Sequence, residues 1–320
     1  MKLKRRLATV LAALAATASG LVVAPGTAHA GIWHDYPPAA NRTCSQTDVY
    51  NGTAYQVCLE FNYARTQVRT VAFINPGAYT NFQVNLRLKF GGGGPDITDS
   101  CPTMSTNGSR ACYTAFTDLR RPYALAEATF GIAGQWMPKL RSLDMRLSNK
   151  AQEEANWCGP AAAQTALATI GYSVPSQRQL ADEVDMSFNG VTLPGRLPQA
   201  MNRHIPSGDW QYEFESFHVA HFDGGVKRII ESLDRGRPVL VLVIPNRLPW
   251  AGDSSSLLRH YVTIHGYGGT VNGDGSVEPR TFKVADPAGG SEHAVAVDTL
   301  LRDNAMWAYA SPGSIAVVRT

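Results

Sequence analysis

Five cysteines divide this 320-residue chain before any secondary structure is considered: Cys44, Cys58, Cys101 and Cys112 fall early, and Cys158 stands alone. Four plus one is the arithmetic of two disulfides and one free thiol in an oxidising compartment. Such a chain has a first region that is stapled covalently and a second that keeps a thiol for packing or chemistry. Proximity favours pairing Cys44 with Cys58 and Cys101 with Cys112. A four-residue loop from Ser105 to Gly108 would set Cys101 directly opposite Cys112 in a hairpin. A two-residue Asn51-Gly52 turn sets Cys44 opposite Leu59 instead, so the first bridge needs a bulge or a longer loop.

The compartment follows from the N-terminus. Lys2, Lys4, Arg5 and Arg6 precede an apolar run from Leu7 to Ala24, and Ala28-His29-Ala30 closes it with small residues. This is the pattern of a secretory signal over residues 1–30, cleaved before Gly31. An uncleaved anchor is the alternative, but Ser19-Gly20 and Pro25-Gly26 interrupt the run and leave it short for a membrane span. Removing four basic and no acidic residues turns a formal charge of +3 into −1. The basicity belongs to the signal, no basic stripe remains for nucleic acid, and no later apolar run is long enough to cross a membrane. The expected location is outside the cell.

From Asn41 to Gln135 the pattern is that of strands. Phe82, Val84, Leu86, Leu88 and Phe90 alternate with Gln83, Asn85, Arg87 and Lys89, which gives one apolar and one wet face. Residues 53–63, 66–74, 111–119 and 123–132 read as further strands, separated by Asn-Gly, Pro-Gly and Gly-rich turns. An antiparallel β-sandwich over residues 31–138 buries one face of each. The glycines at 91–94 lack a following Lys-Ser and helix, so they read as a loop and not a phosphate cradle. Alternation stops between Trp136 and Lys150, and the join to a second domain, residues 139–320, is placed there. Lys139 and Arg141 read as part of a solvated face.

In the second region Cys158 sits where the polar string Gln152 to Trp157 turns into an alanine-rich helical run that should end near Gly171. A thiol at a helix N-terminus is next to unpaired N–H groups and the positive end of the dipole, which favour the thiolate. Asn156 is a plausible cap and Pro160 suits the first turn. Alone, a free cysteine is as readily a packed core residue as a nucleophile. Partners change that balance. His260, in HYVTIHGY, and Asp286, in FKVADPAGG, fall at ends of apolar runs that read as strands, and supply a base and a group to orient it. Gln152 offers a side-chain N–H to a developing oxyanion.

Seven histidines remain after signal removal. His260 and His265 share one strand at an odd spacing and must face opposite ways. Val262 and Ile264 accompany His260, so that face is expected to be the buried one, against the nucleophile helix. His218 and His221 lack the cysteines or carboxylates a metal site needs. Asp253 and Asp298 compete with Asp286, whose place directly after a strand favours it. The hairpin turn with Asn272-Gly273 and Asp274-Gly275 has too few ligands for calcium. The segment from Pro245 to Leu257, with Trp250, is expected to overhang the cleft.

The string from Gln152 to Pro160 with Cys158-Gly159-Pro160, then His260-Tyr261 leading into Gly266-Tyr267, then Asp286-Pro287, resembles the peptidase C39-like branch of the papain-like cysteine peptidases. The resemblance covers the second half of the chain. It implies an α+β, papain-like fold with Cys158 as nucleophile, His260 as base, Asp286 as orienter and Gln152 as oxyanion donor, and no metal or organic cofactor. Members fused to transporters cleave leader peptides after a double glycine. No transporter or ATP-binding segment is found here, so that substrate does not carry over.

The expected protein is thus a secreted cysteine peptidase acting on a protein or peptide, with a sandwich domain that docks substrate, associates with the cell envelope or blocks the cleft. A transglutaminase-like acyl transfer uses the same parts. A secreted binding protein with an inactive papain-like half is the rival from another class.

Overall fold

The computed structural model describes residues 32–37, 41–77, 81–106, 108–119, 122–186, 192–193, 195–216, 222–251, 259–305 and 314–319. The expected signal segment, His218, His221 and Asp253 lie outside the described residues. The first half runs β1 (Asn41–Cys44), β2 (Asp48–Tyr50), β3 (Thr53–Phe61), β4 (Gln67–Asn75), β5 (Asn81–Phe90), β6 (Ile97–Ser105), β7 (Arg110–Tyr113), β8 (Thr117–Asp118), β9 (Tyr123–Ile132), β10 (Gln135–Trp136) and β11 (Lys139–Met145). The second half runs α1 (Cys158–Ile170), α2 (Gln177–Glu183), α3 (Arg196–Asn202), β12 (Gln211–Ser216), α4 (Phe222–Asp234), β13 (Val239–Val243), β14 (His260–Val271), β15 (Val277–Asp286), β16 (Ser291–Ala296), a π-helical turn over Asp298–Ala305, and β17 (Ser314–Arg319). It is an α+β protein of mostly antiparallel sheet.

Two sheets carry the molecule. A six-stranded sheet is built on β1-β3-β4-β7, and an eleven-stranded sheet follows β12-β17-β13-β14-β11-β9-β5-β6, with β15 and β16 beyond β14. The larger one branches at β14. Along one edge of this twelve-residue strand, His260–Ile264 pair with β13 and Gly266–Val271 pair with β11. The stretch after Trp136 is therefore not a break in the strand pattern, as its composition suggests. It is strand β11, joining β9 of the first half to β14 of the second. Leu140 turns to one core and Leu143 and Met145 to another, so the alternation is masked by burial on both faces.

Three cores follow. The six-stranded sheet packs Tyr55, Val57, Leu59 and Phe61 against Phe82, Val84, Leu86 and Leu88 of β5, with Ala126, Ala128 and Phe130 of β9. On one face of β13 and β14, α1, α2 and α3 bury Ala162, Ala166, Leu180 and Met201 against Leu240, Leu242 and Tyr261. On the other, α4 lays down Phe222, Val226, Ile229, Ile230 and Leu233, a helical stripe, against Val241, Val262, Ile264 and Val284. The face of β14 carrying Val262 and Ile264 is thus covered by α4. Helix α1, which opens on Cys158, packs on the Tyr261 and Thr263 side, where Thr263 Oγ1 donates to the Ala162 carbonyl at 3.4 Å, which corrects the expected placement.

Both bridges are present, by different routes. Residues 45–47 oppose only Gln56 and Val57, and this one-residue bulge brings Cys44 directly across from Cys58. Cys101 and Cys112 are not hairpin partners. β6 pairs with β5 and β7 with β4, so their disulfide, with Cα atoms 6.1 Å apart, ties the edges of two different sheets.

Where the halves meet, β1 lies on β11, β14 and β15. Ser142 Oγ donates to the Thr43 carbonyl at 2.6 Å, and Gln46 Nε2 to Thr270 Oγ1 at 2.9 Å. Thr43 Oγ1 donates to Asp144, which also binds His265 Nδ1 at 2.8 Å. The approach depends on glycine. A β-carbon on Gly268 would lie 2.2 Å from the Cys44 carbonyl oxygen, and backbone cannot swing aside. Gly268→Ala is expected to destabilise the protein by about 1–3 kcal/mol, read as a lower urea midpoint; an unchanged midpoint would show that β1 can lift off without cost. Among the described residues no helix is long and apolar enough to cross a membrane.

Candidate active site

α1 is helical because Ala161, Ala162, Ala163 and Ala166 favour it and allow close packing. Pro160 falls in the first turn, where no intrahelical donor is lost. The helix ends at Gly171 with φ of 83°, a left-handed cap at which glycine carries no Cβ penalty. Its first residue is Cys158, a half-buried free thiol. The capping position is taken by Trp157 and not by Asn156, and the Trp157 side chain makes no capping hydrogen bond.

His260 opens β14 and Asp286 closes β15; both are buried. His260 Nε2–H donates to Asp286 Oδ1 at 2.7 Å, which sets the tautomer and leaves Nδ1 as the free ring nitrogen. Nδ1 is buried without a well-formed hydrogen bond, while the Cys158 thiol is close enough to interact with the ring. Such loose pairing is common in active sites before substrate tightens them. Burial opposes a charge on the ring, but the bond to Asp286 and the adjacent Cys158 sulfur outweigh it, and the His260 pKa is raised to about 9. Burial acts against the Asp286 carboxylate too, yet the His260 ring, the Trp250 indole and the Ala288 N–H together hold its pKa below the ordinary value.

His265 goes the opposite way, as strand alternation requires. It is fully buried with Asp144 beneath β1, a histidine of the inter-half contact. Asp298 opens the π-helical turn. His293 stacks on Trp250, with ring centroids 4.1 Å apart and planes 3° from parallel.

Gln152 occupies the loop ahead of Cys158, and its backbone N–H donates to the Pro287 carbonyl at 2.9 Å, tying that loop to the turn after Asp286. The buried Gln177 braces both sides of it, donating to the Ala151 carbonyl at 2.7 Å and accepting from Glu153 N at 2.9 Å. The amide of Gln152, however, gives its hydrogens to the carbonyls of Glu154 and Ala155, at 3.1 and 3.0 Å. Its Oε1 is buried without a partner. Donation to an oxyanion therefore requires that side chain to rotate.

Residues 252–257 of the segment expected to overhang the cleft lie outside the described residues, but Trp250 is placed against Asp286. Its indole N–H donates to Asp286 Oδ2 at 2.7 Å, so the carboxylate is held by the ring of His260 on one oxygen and by Trp250 on the other. No local pattern signals this contact; only a tryptophan in the chain leading to the histidine hinted at a role. Trp250→Phe keeps an aromatic face for His293 and removes the N–H. A loss of roughly tenfold in kcat/KM is expected, the weight of one hydrogen bond to a charged group. Wild-type kinetics in that variant would reduce Trp250 to packing.

Among the described residues no group of three or more His, Cys, Asp or Glu converges as a metal site would need. The arrangement suits nucleophilic chemistry: a thiol at a helix N-terminus, an imidazole beside it, and a doubly bonded carboxylate behind. Neither the curated proteins nor the solved structures provide a match. The family model described as the Peptidase_C39 like family matches residues 142–314, from within β11 to the start of β17. That span is more than half of the chain and includes Cys158, His260 and Asp286, and by it the chain belongs to the peptidase C39-like family.

Proposed function

We propose that this protein is an exported cysteine peptidase, with a papain-like catalytic region preceded by a β-sandwich, that cleaves peptide bonds through Cys158, His260 and Asp286. The observation that carries the reading is the placement of His260, fixed by Asp286 through Nε2 with Nδ1 open beside the thiol at the start of α1. His260 Nδ1 takes the Cys158 proton and the thiolate attacks the substrate carbonyl carbon. A carbon–sulfur bond forms as the π pair moves to oxygen. The oxyanion is received by the Cys158 backbone N–H and, once its amide has turned from the loop carbonyls, by Gln152. Collapse expels the amine, which leaves with the proton from His260. Water, deprotonated by the same ring, then releases the acid from the thioester and restores the thiol.

Family membership supports a peptidase, and with it a protein or peptide substrate. Two disulfides are compatible with export. Cleavage of a peptide library by the wild type, with Cys158→Ala as control, tests the reading. Bonds cut only by the wild type support it, and equal products from both proteins would refute it.

A further inference from the structure

A cavity of about 360 Å³ opens on the outer face of β5, β6 and β9, two to four strands along the sheet from β14. It lies on the wet side of these strands, opposite the core formed by Phe82, Val84, Leu86 and Leu88. Its walls are small and polar, among them Asn85, Ser100 and Thr129, and its charged members include Arg87, Lys139 and Glu127. The volume is at the lower end for a small-ligand site.

Glu127 is the unusual member. Only 2% of it is exposed, and its Oε1 accepts two bonds from Arg141, at 3.0 and 2.6 Å. Oε2 is buried and accepts none. Lys89 Nζ at 3.4 Å, Lys139 Nζ at 3.8 Å and Arg87 at 4.0 Å surround that oxygen without hydrogen-bonding it. Burial works against the charge, yet Arg141 and the two lysines prevail and keep the group a carboxylate. The carboxylate thus neutralises ammonium groups that make no hydrogen bond to it, while the Arg87 guanidinium is held by Asp96. An anion entering here would meet the carboxylate, and a cation would meet the ammonium groups. A neutral hydroxyl accepts from the ammonium groups that reach the surface and brings no charge of its own.

One aromatic completes the surface. Trp136 pairs across from Gly131, so it shares the face of Thr129 and Glu127, and it is 51% exposed. The Gln83 side chain lies across Gly131, placing an amide between the indole and Asn85. An exposed indole beside a line of amides, hydroxyls and a paired carboxylate offers an apolar face for the C–H side of a pyranose and polar groups for its rim.

From this we infer that the outer face of β5, β6, β9 and β10 is a saccharide-binding surface. A chain of neutral pyranoses stacks on Trp136 and exchanges hydroxyl hydrogen bonds with Asn85, Thr129 and Lys139. The site is independent of the peptidase chemistry and would hold the enzyme on a glycan.

Titration of the full chain with cellohexaose, with N-acetylchitohexaose and with polyphosphate, followed by calorimetry and tryptophan fluorescence, tests this. At least one hexaose should bind. Trp136→Ala and Asn85→Ala, both changes at accessible positions, should each weaken binding roughly tenfold while leaving the unfolding midpoint and peptide cleavage unchanged. Binding of cellohexaose supports recognition of ring hydroxyls alone, and binding confined to N-acetylchitohexaose supports an amino-sugar glycan. If neither sugar binds, if both variants bind as the wild type does, or if only polyphosphate binds, the inference is wrong.

Discussion

Cys158→Ala should lower kcat/KM for a cleaved peptide by about 10³-fold or more, because what remains is only binding and oxyanion stabilisation. His260→Ala should cost a similar factor, and the double variant little more than either, since nucleophile and base act as one unit. The pH dependence follows from the raised His260. A group whose folded pKa lies near 9 keeps its proton up to that point, so activity that needs the ring proton for the leaving amine should fall as pH rises through about 9. Asp286→Asn removes the charge that supports the imidazolium and should bring this basic limb to lower pH. Kinetics of the four variants, with a pH series for the wild type and Asp286→Asn, decide the matter. Full turnover by Cys158→Ala would overturn the mechanism outright.

The largest loss of stability is expected at Asp144. This carboxylate is 2% exposed and is bound by His265 Nδ1, by Thr43 Oγ1 and by the Met145 N–H at 2.8 Å. Asp144→Ala leaves His265, Thr43 and a backbone donor unpartnered at the contact between the halves, and should cost about 3–5 kcal/mol, measured by urea unfolding. The pH sign is fixed by the direction of its shift. Burial would raise the Asp144 pKa, but His265, Lys283 and Thr43 more than compensate, so it is lowered on folding. Its contribution is therefore complete above the unfolded value of roughly 4 and is lost as pH falls through the lower folded value. Wild-type stability should decline on that acid limb, and Asp144→Ala should show a shallower decline. A midpoint within error of the wild type would mean that the β1 contact is dispensable.

Two histidine–aspartate pairs hang from β14, and only His260 with Asp286 faces the thiol. Strand alternation is enough to send His260 and His265 to opposite faces, but it does not say which face meets Cys158, and the face expected for helix α1 was the wrong one. Helix α1 was legible from its alanines and from Gly171, and β5 from strict alternation of apolar and polar residues. β6 was missed, because Thr98, Asp99 and Ser100 carry no apolar period. β11 was missed because both its faces are buried. The expected hairpin between Cys101 and Cys112 failed for a related reason: short loops favour neighbours in one sheet, but here each strand found longer contacts in a different sheet.

Residue order and local pattern settled the types of groups available: a thiol at a helix start, imidazoles and carboxylates at strand ends, cysteines in pairable numbers. These depend on side chains a few positions apart, which is the range over which periodicity and capping act. The Trp250 bond to Asp286, the Gln152 amide turned into its own loop, the Gly268 approach to Cys44, and the single sheet shared by both halves were decided by tertiary structure alone. Each joins surfaces brought together by burying apolar area, a force without direction or register, so no local rule can announce which polar groups will meet when that burial is complete.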